Sequence, residues 1–388
     1  MVSFDNTEIA FSGKSNKDLK RSFWLFKMVS NPSFVSLGKS LTNFAISTRL
    51  PIQGLIKATI FKQFVGGEDI AECANTIASL GKYQIGTILD YSVEGAETEP
   101  AFDACEKETL ETIYRAEKDQ NIPFCVFKVT GLARFALLEK ASDAALNTEA
   151  EKAEYERVRQ RVSRICKSAH FAGKPIFIDA EESWIQPAID ALANEMMAAF
   201  NKEKPIVYNT FQLYRKDRLD YLKQSYEAAQ AGGYLLGAKL VRGAYMEKER
   251  ARAKEREYVN PIQNTKEDTD ADYDRALKFC IEHIEKIGLC AGTHNEESSM
   301  YLVKLIQDFK ISPSHPHILF SQLFGMSDHI SFNLAKAGYR VAKYVPYGPV
   351  KEVLPYLIRR AQENTSVKGQ TGRELSLIIK EQKRREGK

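Results

Sequence analysis

The sequence predicts an α/β protein built as a distorted β8α8 barrel, with its last helix over the barrel mouth and a helical region ahead of it. Three observations predict this. After about residue 80, short runs rich in Ile, Val, Leu and Phe alternate eight times with longer helical patterns, the rhythm of strand–helix units. The chain of 388 residues is long enough for one large α/β domain with an appendage. The ends of the apolar runs carry Asp90, Lys128, Asp179, Glu181, Gln212, Lys239, Arg242, Thr293, His294 and Tyr344, a ring of polar groups where a barrel places its active site. A doubly wound open sheet is the runner-up.

The elements follow in order. Residues 1–20 read as polar and loose. From Arg21 to about Leu80 the apolar spacing is helical, punctuated by Pro32 and Pro51. The first strand is Ile85–Val93, and Ala101–Gln120 is helical. Pro123–Val129 is the second strand, followed by a long charged helix over Lys140–His170. Pro175–Asp179, Pro205–Thr210 and Leu235–Arg242 are the next strands, with helices over Ser183–Asn201, Asp217–Ala231 and Glu247–Glu257. Helix Asp272–Ile287 precedes the sixth strand, Leu289–Thr293. Helix Glu297–Asp308 precedes the seventh, His317–Phe320. A short helix near Asp328–Ala337 leads to the eighth, Arg340–Tyr344, and a helix from Val353. The tail Arg373–Arg385 is a last charged helix. The expected division is a helical arm over 1–80, a barrel over 81–366 and a tail over 367–388.

Composition excludes several classes. Net charge is +4, from 55 basic and 51 acidic residues, too balanced for a nucleic-acid binder. The six cysteines are scattered without a CxxC, and no second His stands at metal spacing from His294, so no metal site is expected. Scattered cysteines fit a reduced, cytoplasmic protein. Met1–Arg21 has no signal-peptide pattern, and no apolar run approaches the ~18 residues of a membrane span. Between Lys14 and Phe64, however, nine basic residues face one acid, Asp18, so peripheral contact with an anionic membrane is a secondary expectation.

Several runs carry candidate chemistry. Lys128 closes an otherwise apolar strand, either as a rim lysine or as a cation at a pocket floor. Asp179-Ala180-Glu181-Glu182 either caps a helix or supplies a pocket acid. The Gln212 amide can donate and accept toward a heteroaromatic edge. Lys239-Leu-Val241-Arg242-Gly-Ala-Tyr245 sets two basic residues before a Gly-Ala that lets a planar ligand approach the backbone. In the helix after the eighth strand, Leu354, Leu357, Ile358 and Ala361 form one face, and Arg359 pairs at i, i+4 with Glu363. The adjacent Arg359 and Arg360 suit a fork around a small carboxylate or phosphate, or a solvated charged face. No GxGxxG, Walker A, GxSxG or HExxH sequence is present.

These runs, read together, resemble the proline dehydrogenase family. The likeness rests on Phe-Lys128-Val-Thr-Gly-Leu, Ile-Asp179-Ala-Glu-Glu, Phe-Gln212-Leu-Tyr, Ala-Lys239-Leu-Val-Arg-Gly-Ala-Tyr245, Gly-Thr293-His294-Asn, Gln-Leu323-Phe-Gly-Met and Tyr344…Arg359-Arg360-x-x-Glu363, in that order over residues 80–366. The resemblance implies an FAD-containing barrel that oxidises L-proline to Δ1-pyrroline-5-carboxylate and passes electrons to a quinone, with a separate pyrroline-5-carboxylate dehydrogenase downstream. It implies that Arg359, Arg360 and Lys128 grip the carboxylate, and that Leu323, Tyr344 and Tyr245 line the ring pocket. Asp179 would sit beside substrate and flavin, and Lys239 would be the cation near flavin N5. Ala180, Gln212, Val241, Thr293, His294 and Glu363 would contact or adjoin the flavin. The competing readings are a cofactor-free lyase using Lys128 or Lys239 as a Schiff-base amine, a non-catalytic metabolite binder, and hydroxyproline oxidation. Tyr344 weighs against the last, because its hydroxyl leaves no room for a ring hydroxyl.

Overall fold

The computed structural model describes residues 2–29, 54, 57–92, 96–354, 356–357 and 370–387. Eight strands form one sheet: β1 (Ile85–Tyr91), β2 (Cys125–Lys128), β3 (Ile176–Asp179), β4 (Val207–Gln212), β5 (Leu236–Val241), β6 (Ile287–Gly292), β7 (Ile318–Leu323) and β8 (Val341–Tyr347). Their order, β1-β8-β7-β6-β5-β4-β3-β2, makes chain neighbours sheet neighbours around a nearly closed parallel barrel. The β8α8 class expected from the sequence is therefore the one adopted.

Boundaries moved where turn residues misled. β8 runs on to Tyr347 through Pro346, which keeps an extended backbone and whose carbonyl accepts from Gly66 N–H at 2.8 Å. The single helix expected over Lys140–His170 is two, Phe135–Ser142 and Glu149–Phe171. Ala144 takes φ +54° between them, and Thr148 with Glu151 forms a capping box that starts the second. The helix expected over Asp272–Ile287 is Lys266–Glu282, started by a Thr265–Asp268 capping box, and Ile287 already belongs to β6.

The chain divides into two compact units. One comprises Gly95–Ser321 and Gly338–Ala342. Here register fixes which side chains share a face: Phe177 lies beside Tyr208, Lys128 beside Asp179, Thr210 beside Lys239, and Gln212 beside Val241. With a side-chain period of two, Lys128, Asp179, Gln212, Lys239 and Val241 all point the same way. The opposite face meets helices: Asn209 Nδ2 donates to Asp190 Oδ1 at 2.8 Å in helix Gln186–Phe200. The first face is thus the barrel interior. Its floor is aromatic. Phe124 stacks on Phe177 at 4.7 Å, and Tyr208 meets both edge-on. Gly237 and Gly288 make room for this layer. A Cβ on Gly237 would stand 2.2 Å from the Val207 carbonyl oxygen, and one on Gly288 would stand 2.3 Å from the Tyr208 hydroxyl.

The other unit comprises Met1–Glu94, Gln322–Ala337 and Lys343–Lys388. Its apolar core gathers Phe11, Leu19, Phe26, Phe61, Phe64, Val353, Leu377 and Ile378. Residues 2–20, expected to be loose, are packed instead: Phe4 and Phe11 are buried, Arg373 pairs with Asp5, and Arg385 donates to the carbonyls of Phe11 and Lys14. Helix Asn16–Val29 leaves Lys17, Lys20, Trp24, Lys27 and Met28 exposed along one stripe. No helix among the described residues is long and apolar enough to cross a membrane.

Candidate functional site

Three charges meet above the aromatic floor. Asp179, the last residue of β3, receives Lys128 Nζ from β2 at 3.0 Å on one carboxylate oxygen and Lys239 Nζ from β5 at 2.5 Å on the other. Lys239 also sits 5.4 Å from the centre of the Phe177 ring, a cation over an aromatic face. Its position explains its direction: two residues beyond Gly237, it is the first β5 side chain above the floor, and Asp179 stands two residues beyond Phe177. Burial works to raise the Asp179 carboxyl, but the two ammonium groups, through charge and hydrogen bonds, reverse this and pull it down to about 2. Asp179 is therefore anionic at neutral pH.

A second buried carboxylate lies next to this trio. Glu181 accepts from Thr130 N–H at 3.1 Å and from Thr130 Oγ1 at 2.5 Å, which ties the turn after β2 to the end of β3. Its own N–H donates to Gln186 Oε1 at 2.8 Å, and Gln186 continues to Asp190 at 2.9 Å. Burial pushes the Glu181 carboxyl up to about 7, against the lowering pull of the Thr130 bonds and the Lys128 charge.

Gln212 closes β4 with its side chain buried, and its Oε1 has no hydrogen-bond partner among the described residues. An unpaired buried acceptor costs about 1–3 kcal/mol, so such an atom calls for a donor. A flavin ring edge carries one, and the residues present fit that group. Val241 ends β5 beside Gln212 on the same face, and Ala180 follows Asp179 half-buried.

Past the strand ends, Arg242 organises the rim. It donates to Asp270 Oδ1 at 2.6 Å, Thr293 Oγ1 at 2.7 Å and Ser298 Oγ at 3.0 Å, and it lies 4.5 Å from the Tyr273 ring centre. Thr293, with His294 next to it, thus follows β6 with its hydroxyl tied to the arginine that follows β5. Tyr245 caps helix Met246–Glu255, with Lys248 over its ring at 5.6 Å. The same helix sends Glu249, fully buried, to Ser183 N–H at 2.7 Å and Ser183 Oγ at 2.6 Å, fastening it to the loop after β3. Leu323 ends β7 and Tyr344 lies buried within β8, both in the unit that holds the chain's two ends. Arg359, Arg360 and Glu363 lie outside the described residues.

The sequence named the charged trio and Gln212. It did not single out Thr130 or Gln186, which only the buried contacts identify, nor Asp270 and Ser298, which with Thr293 are the partners of Arg242; acids at Asp270 and Asp274 one turn apart were the signal available. A shallow depression of about 420 Å³ lined by Ile113, Tyr114, Arg164 and Phe171 lies at the C-terminal ends of two outer helices, which lead into the opposite, N-terminal ends of strands. It is not part of this site.

A family model described as proline dehydrogenase matches residues 73–373. Proline dehydrogenase 1, mitochondrial, of Dictyostelium discoideum is 36% identical over 98% of this chain and 74% of its own. The human protein of that name is 44% identical over 61% of this chain and 40% of its own. Hydroxyproline dehydrogenase of Xenopus laevis is 32% identical over 97% of this chain and 88% of its own. Among solved structures, proline utilization A from Bdellovibrio bacteriovorus, inactivated by N-propargylglycine, matches with a TM-score of 0.73 at 21% identity. That match covers 93% of this chain but 38% of the larger one, and it speaks for the barrel alone. A match over most of the barrel, joined to near full-length identity above 30%, settles the kinship: the chain belongs to the proline dehydrogenase family.

Proposed function

We propose that this chain oxidises L-proline to Δ1-pyrroline-5-carboxylate, with bound FAD supplying the hydride-accepting chemistry and a quinone taking the electrons onward. The observation that carries this reading is the Lys128–Asp179–Lys239 trio on the same interior face as the Gln212 oxygen, which has no hydrogen-bond partner among the described residues, in a chain of this family. Two lysines gathered on one carboxylate favour an anionic substrate. Asp179, ionised between two cations, holds both lysines in place and fixes the direction of their charge. Lys128, Arg359 and Arg360 bind the proline carboxylate. Leu323, Tyr344 and Tyr245 pack on the pyrrolidine ring and exclude water. Gln212, Lys239, Val241, Thr293 and His294 hold FAD, with Ala180 and Glu363 beside it. Positioning of the substrate C–H supplies much of the rate.

The trio disfavours the lyase reading. An amine nucleophile must shed a proton and present its lone pair, and both candidate lysines are held by one carboxylate. Hydroxyproline oxidation is kept as a second reading because a hydroxyproline dehydrogenase is among the relatives; Tyr344 argues for proline. The test is direct. Purified protein carrying flavin should lose its flavin absorbance on anaerobic addition of L-proline, and much more slowly with trans-4-hydroxy-L-proline. A protein that cannot be loaded with FAD, or one bleached only by the hydroxylated substrate, overturns the proposal. Electron delivery to a membrane quinone would use the exposed stripe of Lys17, Lys20, Trp24, Lys27 and Met28 as a peripheral contact with anionic lipid. A separate pyrroline-5-carboxylate dehydrogenase would consume the product.

A further inference from the structure

The turn after β7 is fastened from four directions, all within the unit that contains both ends of the chain. Strand β8 supplies Lys343, whose side chain is fully buried and which the proposed reaction does not use. Its ammonium donates to the Met326 carbonyl at 2.5 Å, approaches the Leu323 carbonyl at 3.5 Å and pairs with Asp328 Oδ1 at 3.0 Å. The same carboxylate takes Lys14 Nζ at 2.8 Å. From helix Gln370–Arg385, Glu374 accepts the Ser327 backbone N–H. Gln63 Nε2 donates to the Gly325 carbonyl at 2.9 Å and is itself held by Ser22 Oγ at 3.0 Å. The turn needs this support. Gly325 has φ +78° and Ser327 has φ +50°, a left-handed conformation that a serine keeps only when its surroundings impose it. A Cβ at residue 325 would fall 2.0 Å from the Gln63 carbonyl oxygen. On the other side, Phe324 N–H donates to the Tyr344 carbonyl at 2.7 Å. The turn therefore joins the end of β7 to β8 at the two residues, Leu323 and Tyr344, assigned above to the substrate ring.

Burying a lysine in this way is expensive unless every donor is placed. Purely structural roles at such a position are readily filled by apolar side chains. We propose that Lys343 and Glu374 are positioning residues for substrate selection: by holding the turn Phe324–Ser327 they fix the spacing of Leu323 and Tyr344, and with it the fit of the substrate ring. This rests on the reading of Leu323 and Tyr344 as ring contacts.

The experiment uses the full chain loaded with FAD and compares Lys343→Met, Lys343→Arg, Glu374→Ala and Leu323→Ala. KM and kcat are measured for L-proline and trans-4-hydroxy-L-proline, beside flavin content and thermal midpoint. Lys343→Met and Glu374→Ala should keep their flavin, raise KM for proline roughly tenfold with a smaller change in kcat, and narrow the preference for proline, because small displacements of positioning groups are amplified in this way. Lys343→Arg should restore part of the loss. Unchanged KM and unchanged preference, with only the thermal midpoint lowered, would reduce the cluster to a structural role and overturn the proposal. Leu323→Ala separates the two layers of inference. If it alone raises KM, the positioning role fails and the pocket stands; if it too is silent, the pocket reading itself fails and the positioning role falls with it. Where Lys343→Met does not fold, Lys343→Met combined with Asp328→Asn removes both partners of the ion pair and carries the same measurement.

Discussion

At the scale of single residues, the two carboxylates at the end of β3 and just beyond it behave in opposite ways, and each sets a pH window. Asp179 is drawn down to about 2 by its two lysines, so its pairing stabilises the fold above its ordinary value near 3.8 and is lost as pH falls through about 2. Glu181 is raised to about 7 by burial. Between its ordinary value near 4.5 and about 7, the unfolded chain has released a proton that the folded chain keeps, so stability falls as pH rises through that window. Glu181→Gln keeps an acceptor for Thr130 and removes the titration. It should stabilise the protein above pH 7 by an amount on the order of 3 kcal/mol and flatten the slope below it. Urea midpoints at pH 5.5 and 8.0 check this; parallel slopes in variant and parent would remove Glu181 from the account. A second residue-scale prediction concerns the arginine pair. Arg359→Met or Arg360→Met should raise KM for proline strongly while flavin content stays the same, and unchanged steady-state kinetics in both would withdraw the carboxylate clamp. The charged trio was legible in the sequence because a Lys or Asp inside an apolar strand is conspicuous. Lys343 was equally conspicuous within Arg340–Tyr344, but only its partners show what it holds. That the Gln212 oxygen has no partner among the described residues could not be read at all, since satisfaction of a buried amide depends on neighbours distant in the chain.

At the scale of elements, all eight strands were legible and their ends were not. Apolar runs bounded by Pro and Gly announce a strand, but extended backbone continues for as long as a neighbour supplies partners, as β7 does to Leu323 and β8 to Tyr347. The split between helices Phe135–Ser142 and Glu149–Phe171 was written in Thr148-x-x-Glu151, a capping box inside what otherwise looks like one charged helical run. Register adds a prediction at this scale. Gly237 of β5 and Gly288 of β6 lie under the charged trio, against Val207 and Tyr208, with no space for a methyl group. Gly237→Ala meets a backbone oxygen that cannot swing aside, so it should cost about 1–3 kcal/mol. The loss would be read as a lower urea midpoint at unchanged slope. The floor lies directly beneath the trio, with Lys239 over the Phe177 ring, so kcat/KM should also fall at a temperature where the variant is folded. A variant of undiminished stability would show that the floor is looser than its contacts imply.

At the scale of the whole molecule, what the sequence hid was companionship. Helical periodicity shows which face of a segment is apolar but not what covers it, so residues 2–20 looked loose and the last helix looked like a tail. In the folded chain they share one core, in which Leu377 and Ile378 lie buried with Phe11, Leu19 and Phe26. Leu377→Ala should therefore cost about 2–5 kcal/mol, a core price for a residue near the end of the chain. A thermal midpoint within error of the parent would show the tail to be dispensable. This arrangement has a consequence for synthesis. The arm is made well before the last helix, yet its carbonyls at Phe11 and Lys14 are met by Arg385, and the turn after β7 is closed by Glu374. During translation, then, the arm must stay uncommitted, its phenylalanines uncovered, until the last described helix has emerged. The half-made chain is the state most in need of a chaperone, and a ribosome stalled late in the message leaves the phenylalanines of the arm without the helix that shares their core.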